Sequence, residues 1–231
     1  MEANVKVSPV IKAVLFDLDG TLLDRQAALE PFLRAQYDRC LSQSENIGYE
    51  PFRDRYLQLD ECGSTSRPQL YQTLVTDFAL KYTADALVGD FRSHIGTHSI
   101  VFPFTYNVLG RLRTEGYKLG IVTNGSLEAQ SAKIWTCHLE DFVDTILISA
   151  QEGVKKPDAE IFHRAAEYLC VDPAECVFVG DNPRHDIHGA QAVSMITVWL
   201  KGCLPWPADL SVSPDYTING IAEMLPILEK M

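Results

Sequence analysis

The sequence predicts an α/β protein with a Rossmann-like parallel sheet core and an inserted helical-bundle domain. Three observations support this fold class. Short, continuous apolar runs recur along the chain, as is typical of strands buried on both faces. Segments with helical periodicity alternate with these runs, so the strands should be parallel and covered by helices. The long stretch between the first two runs contains no convincing strand and has helical spacing throughout.

The apolar runs give the positions of the strands. In chain order they are Ala13–Phe16, Leu119–Val122, Ile146–Ile148, Val177–Val179, Met195–Leu200 and a short last run, Tyr216–Ile218. Helices are predicted at Leu127–Trp135, Pro157–Leu169, Asp186–Val193 and Ile221–Leu228. Pro157 suits a first helical turn, where a missing N–H group costs no hydrogen bond.

Four apolar stripes with helical spacing mark the insertion. They cover Leu29–Cys40, Phe52–Leu59, Leu70–Phe78 and Leu87–Phe91. The insertion follows the carboxyl end of the first strand, which is where ligands of open α/β sheets bind, so it is expected to cover a site as a cap. The predicted division is a core of residues 1–21 and 99–231 and a cap of residues 22–98.

Composition excludes some classes of function. The chain has 231 residues, and 20 Lys and Arg against 31 Asp and Glu give a net charge of −11, which argues against a general nucleic-acid binder. No apolar run approaches the roughly 20 residues that cross a bilayer. Met1–Lys12 carries no long apolar stretch, so we expect no signal peptide. All six cysteines are expected to be reduced thiols of a cytoplasmic protein. A monomer is compatible with the sequence, which does not fix the oligomeric state.

The first polar motif, Asp17–Thr21, ends the first strand. Two carboxylates two residues apart can supply a nucleophile for phosphorus and a second acid that moves protons. Gly20 allows a sharp turn. Taken alone, the motif fits a polar strand end that opens a surface loop about equally well.

The second and third motifs could hold phosphate oxygens. Thr123, Asn124 and Gly125 follow the second strand and offer a hydroxyl and backbone N–H groups. Lys156 precedes a predicted helix and could face a phosphate or an aspartate. Singly, a plain turn and a solvated loop lysine are the simpler interpretations.

The fourth motif, Gly180–Asp186, follows the strand at Val177–Val179. Asp181 offers the hard oxygen ligand that Mg²⁺ prefers, and Asp186 lies near a helix start, where a negative charge is favoured. A pair of helix-capping acids is the alternative. All four motifs fall at carboxyl ends of predicted strands, and that shared position favours one common site over four separate coincidences.

In order and spacing, these motifs resemble the haloacid dehalogenase-like (HAD) superfamily, and the helical insertion resembles the C1 cap of its subfamily I. The resemblance implies that Asp17 is the nucleophile and that Asp19 is the general acid and base. It implies a Mg²⁺ ion held by the carboxylates of Asp17 and Asp181 and the backbone carbonyl of Asp19. The remaining motif residues would hold phosphoryl oxygens (Thr123, Asn124, Gly125 and Lys156) or orient Lys156 or a metal-bound water (Asp186).

The resemblance therefore implies a Mg²⁺-dependent phosphatase that hydrolyses a small phosphorylated metabolite through a phosphoaspartyl intermediate. The acidic composition and the short apolar runs predict no nucleic acid or membrane partner. Two alternatives stay open: a sugar phosphomutase similar to beta-phosphoglucomutase, and a non-catalytic HAD-like binding protein. Asp19 argues against a dehalogenase, which typically lacks this second aspartate. Lys81 is the only lysine in the predicted cap and lies near a helix end, a poor position for the Schiff base of a phosphonatase.

Overall fold

A computed structural model describes residues 10–43 and 47–231 of the chain. Most of Met1–Lys12, for which no signal peptide is expected, lies outside the described residues. Contacts divide the chain into two compact units. Among the described residues, one consists of 10–22, 102–124 and 139–231, and the other of 23–43, 47–101 and 125–138.

The first unit contains a six-stranded sheet in which every neighbouring pair is parallel, as the apolar runs predict. The strands are β1 (Ala13–Phe16), β2 (Lys118–Thr123), β3 (Thr145–Ile148), β4 (Cys176–Gly180), β5 (Ile196–Leu200) and β6 (Tyr216–Ile218). Their spatial order is β3-β2-β1-β4-β5-β6. The predicted α/β fold class is confirmed.

The strand order reverses beside β1. The chain first runs outward from β1 through β2 to β3, then returns to the other side of β1 as β4 and continues outward to β6. In open α/β sheets such a reversal leaves a crevice at the carboxyl ends of the two central strands, where ligands bind. Here these strands are β1, which leads into Asp17, and β4, which leads into Asp181.

Five helices of this unit are described: α5 (Thr105–Thr114), α7 (Ser149–Glu152), α8 (Ala159–Tyr168), α9 (Gly189–Gln191) and α10 (Met224–Leu228). Helix α5 is absent from the sequence prediction. On one face of the sheet, apolar side chains of α8 pack on β4, with the rings of Phe162 and Phe178 edge to face at 5.0 Å between centroids.

Two helix boundaries differ from the prediction. Helix α8 begins at Ala159 and not at Pro157, because the side chain of Asp158 caps it by accepting the N–H of Glu160. The predicted helix Asp186–Val193 is instead a π-helical turn, Pro183–His188, followed by the short α9. The side chain of Asn182 caps that turn by accepting the N–H groups of Arg184 and His185.

The second unit is helical. It contains α1 (Arg25–Gln36), which continues as a π-helical turn (Tyr37–Leu41), α2 (Tyr49–Asp60), α3 (Arg67–Phe78), α4 (Ala84–His94) and α6 (Leu127–Thr136). Its core includes the fully buried rings of Phe32, Phe52, Tyr56 and Tyr71. The sequence assigned α6 to the sheet domain, whereas in the structure α6 groups with the helical unit. The division into a 22–98 cap and a core stays a prediction.

A buried ion-pair cluster joins three helices of the helical unit. The carboxylate of Asp60 accepts hydrogen bonds from Arg25 at 2.5 Å and from Arg67 at 2.6 Å. Burial opposes ionisation of Asp60, but the two guanidinium groups outweigh it and hold the pKa of Asp60 below its ordinary value.

The cysteine prediction holds for four of the six residues. Cys40, Cys137, Cys170 and Cys176 carry reduced thiols. Cys62 and Cys203 are disulfide-bonded, so the prediction that all six are reduced is wrong for these two. Within residues 10–43 and 47–231, no helix is both long enough and apolar enough to cross a membrane.

Candidate active site

Asp17 lies immediately beyond β1, and its backbone is tied to β4. The Asp17 N–H donates to the carbonyl of Val179 at 2.9 Å, which continues the ladder between the two strands by one residue. The side chain is buried, with 7% of the residue exposed. This position places the carboxylate at the point where the strand order reverses.

Lys156 is an almost fully buried lysine that links two of the predicted acids. Its Nζ lies 2.6 Å from Oδ1 of Asp17 and 2.7 Å from Oδ1 of Asp186. Burial alone would lower the pKa of Lys156, but the charges of Asp17 and Asp186 outweigh it and hold the pKa above its ordinary value. The two carboxylates therefore favour the charged form of Lys156, which bridges them.

Asp17, Asp181 and Asp186 form a buried cluster. Each offers a carboxylate oxygen, and these oxygens lie within 4.8 Å of one another. Desolvation and the neighbouring carboxylates raise the pKa of Asp181 to about 8. Desolvation also raises the pKa of Asp17 to about 7, although Lys156 opposes it. One lysine cannot balance three carboxylates, and hard oxygen donors at this spacing could hold a metal ion.

Two glycines allow this crowding. Gly20 has φ +89°, and a Cβ atom there would lie 2.4 Å from Oδ2 of Asp181. A Cβ atom at Gly180 would lie 2.4 Å from Oδ2 of Asp186. Because no side-chain atom fits at either place, both positions require glycine for the carboxylates to sit where they do.

Asp186 is fixed from its own turn. Its Oδ2 accepts the N–H of Asn182 at 2.9 Å, and its Oδ1 faces Lys156. With 1% of the residue exposed, Asp186 is more buried than Asp17 or Asp181. Its position fits the predicted role of orienting Lys156, and it is also one of the three possible metal ligands.

Asn124 has a use that the sequence did not indicate. Its side-chain Nδ2 donates to the carbonyl of Lys156, and its Oδ1 accepts the N–H of the same residue, both at 2.9 Å. The amide of Asn124 thus holds the backbone of Lys156 from both sides. The predicted phosphate-binding group at Asn124 is its backbone N–H, which these side-chain bonds leave untested. The side chain itself positions Lys156, and no local sequence signal reports this long-range pair.

The other predicted residues lie as follows. Thr123 is the last residue of β2 and is buried, with 1% exposed. Asp19 is half-buried, and its charge contributes to the raised pKa of both Asp17 and Asp181. Gly125 belongs to the helical unit, and a Cβ atom there would lie 2.8 Å from the Gln130 side chain.

This geometry defines a class of protein: a parallel α/β sheet with an aspartate nucleophile candidate, a buried lysine and an acidic cluster at the strand-order reversal. The family model described as a haloacid dehalogenase-like hydrolase matches residues 11–194. The chain therefore belongs to the haloacid dehalogenase-like hydrolases, which confirms the resemblance read from the motifs.

Individual relatives differ in what they do. A glyceraldehyde 3-phosphate phosphatase from Pyrococcus furiosus is 31% identical over 95% of this chain and 94% of its own length. The crystal structure of a HAD phosphatase from Thermococcus onnurineus is 32% identical, with a TM-score of 0.69, and covers 94% of this chain and 98% of that one. A 2-haloacid dehalogenase structure from Pseudomonas syringae is 26% identical, with a TM-score of 0.66, and covers 96% of this chain and 99% of that one.

Proposed function

We propose that this protein is a Mg²⁺-dependent phosphatase that hydrolyses a small phosphate monoester through a phosphoaspartyl intermediate at Asp17. The observation that carries the proposal is the contact between Asp17 and Lys156 inside the acidic cluster. The phosphatase relatives support the reaction class. Glyceraldehyde 3-phosphate, named for the Pyrococcus relative, is the first substrate to test.

The cluster fits a divalent cation. The carboxylates of Asp17 and Asp181, the backbone carbonyl of Asp19 and, through its place in the cluster, Asp186 are the groups that would hold or surround Mg²⁺. When bound, Mg²⁺ would offset the repulsion between an aspartate and an anionic phosphate, which is about 4 kcal/mol per pair of unit charges at 4 Å and an effective dielectric constant near 20.

In the proposed first step, a carboxylate oxygen of Asp17 forms a bond to phosphorus, and the bond from phosphorus to the ester oxygen breaks. The departing alkoxide takes the proton of the Asp19 carboxyl and leaves as an alcohol. Lys156 would neutralise charge that develops on the phosphoryl oxygens, and Thr123 would donate to one of them.

In the second step, water attacks the phosphorus of the phosphoaspartate. The carboxylate of Asp19 takes a proton from that water, the bond from phosphorus to the Asp17 oxygen breaks, and inorganic phosphate leaves. This returns Asp17 to a carboxylate and Asp19 to a carboxylic acid, so the cycle is balanced. Asn124 and Asp186 both contact Lys156: Asn124 would hold its backbone and Asp186 its ammonium group.

The test is a screen of phosphorylated metabolites for phosphate release, with Mg²⁺ and with chelator, using wild type and Asp17→Asn. We expect Mg²⁺-dependent release that falls at least 10³-fold in Asp17→Asn. Asp158→Asn is a matched control, because Asp158 is an exposed helix cap and should retain activity. Full activity in Asp17→Asn would refute the nucleophile.

The same assay separates the alternatives. A phosphomutase would convert one sugar phosphate into its isomer with little free phosphate. A dehalogenase would release halide from a 2-haloacid without Mg²⁺. A non-catalytic protein would bind ligands without turnover. Asp19, together with Lys156 and the acidic cluster, favours phosphoryl transfer over attack on carbon.

A further inference from the structure

A tryptophan from the neighbouring strand holds the backbone of the candidate metal ligand Asp181. Trp199 is the next-to-last residue of β5 and lies opposite Gly180 in the parallel register of β4 and β5. Its indole Nε1–H donates to the backbone carbonyl of Asp181 at 3.0 Å. The peptide that carries Asp181 is thus fixed just where β4 ends.

The indole is itself held in place. Trp206 packs on Trp199 edge to face, with ring centroids 5.0 Å apart and an angle of 69° between the planes. Because the Trp199 ring packs against Trp206, the direction of its N–H is set by packing as well as by the hydrogen bond. Asp209, which lies with Trp206 in the segment between β5 and β6, forms an exposed ion pair with Arg184 in the turn after Asp181. An exposed ion pair of this kind contributes little stability.

The chain beyond β5 also passes close to the Asp181 carboxylate. A Cβ atom at Gly202 would lie 3.0 Å from Oδ2 of Asp181. Gly20 approaches the same oxygen, as described above. The Asp181 side chain is therefore bordered by two glycines while its backbone carbonyl is held by Trp199, which leaves the carboxylate little freedom to turn away from Asp17 and Asp186.

We propose that the end of β5, through Trp199 and Gly202, positions Asp181 for a divalent cation and thereby sets the metal affinity of the site. The proposal rests on the metal site of the proposed function. Trp199 is a positioning residue here, since it acts through the backbone carbonyl of Asp181. A ligand whose peptide is already fixed loses less freedom on binding metal, and residues that orient metal ligands commonly account for tenfold or more in affinity.

The test is the Mg²⁺ concentration that produces half of the maximal rise in melting temperature of the metal-free protein. Trp199→Phe removes the donor and keeps an aromatic ring, and we expect it to raise this midpoint about tenfold. With saturating Mg²⁺, turnover should stay within about twofold of wild type, because the positioned ligand set is then restored by mass action. Trp135→Phe is the control, since Trp135 is exposed and lies in the helical unit.

The outcomes separate positioning from mere packing. A lower melting temperature without Mg²⁺ but an unchanged Mg²⁺ midpoint would overturn the proposal, as would a shift equal to that of Trp135→Phe. Gly202→Ala provides a second test should Trp199→Phe fail to fold. It leaves the indole in place but crowds Oδ2 of Asp181, and we expect a similarly raised midpoint.

These results also distinguish this proposal from the proposed function. Tight Mg²⁺ binding that depends on Trp199, with no hydrolysis of any phosphorylated compound, would support the positioning role and refute the phosphatase. Mg²⁺-dependent hydrolysis, with the same Mg²⁺ midpoint of the melting temperature in all variants, would support the phosphatase and refute the positioning role. A wild-type protein that binds no Mg²⁺ would overturn both.

Discussion

Replacing Lys156 by methionine removes the cation that bridges Asp17 and Asp186, and the effect can be worked from the structure. At 2.6 Å from Asp17 and 2.7 Å from Asp186, each attraction is about 6 kcal/mol before desolvation, at an effective dielectric constant near 20. Most of that offsets the cost of burying the charges. Removing one partner of a buried pair costs about 3–5 kcal/mol, because the other charge is left uncompensated.

We expect Lys156→Met to lose about 3–5 kcal/mol of unfolding free energy at pH 7.5 in chelator, measured by urea denaturation. That is a large part of the total of about 5–15 kcal/mol typical of such proteins. Phosphatase activity should fall about 10²–10³-fold, as for the loss of one group that stabilises charge in a transition state.

Lys155→Met is a matched control, since Lys155 is the adjacent lysine and is exposed. It should change stability by no more than about 0.5 kcal/mol. Adding Asp186→Asn to Lys156→Met removes one orphaned carboxylate, so the double variant should lose about 1–3 kcal/mol less than the sum of the two single losses. Equal stability of Lys155→Met and Lys156→Met would refute the reasoning.

Two further predictions concern residues that support the site or the helical unit. Asn124→Ala removes both hydrogen bonds that hold the backbone of Lys156, so turnover should fall about tenfold with little change in KM; an effect on KM alone would indicate substrate binding instead. Asp60→Asn leaves Arg25 and Arg67 uncompensated and should cost about 2–3 kcal/mol near pH 7 in urea denaturation. The pKa of Asp60 is lowered in the folded state, so its contribution to the free energy of unfolding is present above the unfolded pKa and is lost as pH falls through the folded pKa. The stability difference between wild type and Asp60→Asn should therefore shrink below about pH 4. A difference that does not depend on pH would contradict this.

The strands could be predicted because their signal is local. Ala13–Phe16 and Val177–Val179 are continuous apolar runs, and a strand buried on both faces of a parallel sheet needs such a run. The motif residues that follow these strands could also be placed together, because the carboxyl ends of all strands in a parallel sheet lie on the same side of it. Helix α5 was missed because nothing in its flanking sequence marked a helix start: it follows Phe104 in a left-handed conformation, with φ +69°.

Helix α6 shows where local reasoning stops. Its periodicity indicates a helix with a buried face, but only long-range packing decides that Ala129 joins the core of the helical unit. The same limit applies to Asn124, whose amide bonds a residue 32 positions away in the chain. A short sequence window reports which residues alternate, not which distant groups they meet.

By itself, the sequence determined a parallel α/β core, a helical insertion and the family, because burial periodicity and motif spacing are written along the chain. Only the tertiary structure decided that β4 lies beside β1, that Lys156 bridges Asp17 and Asp186, and that Trp199 holds the peptide of Asp181. These contacts depend on strand order and side-chain direction, which follow from the packing of the whole chain and not from any one segment of it.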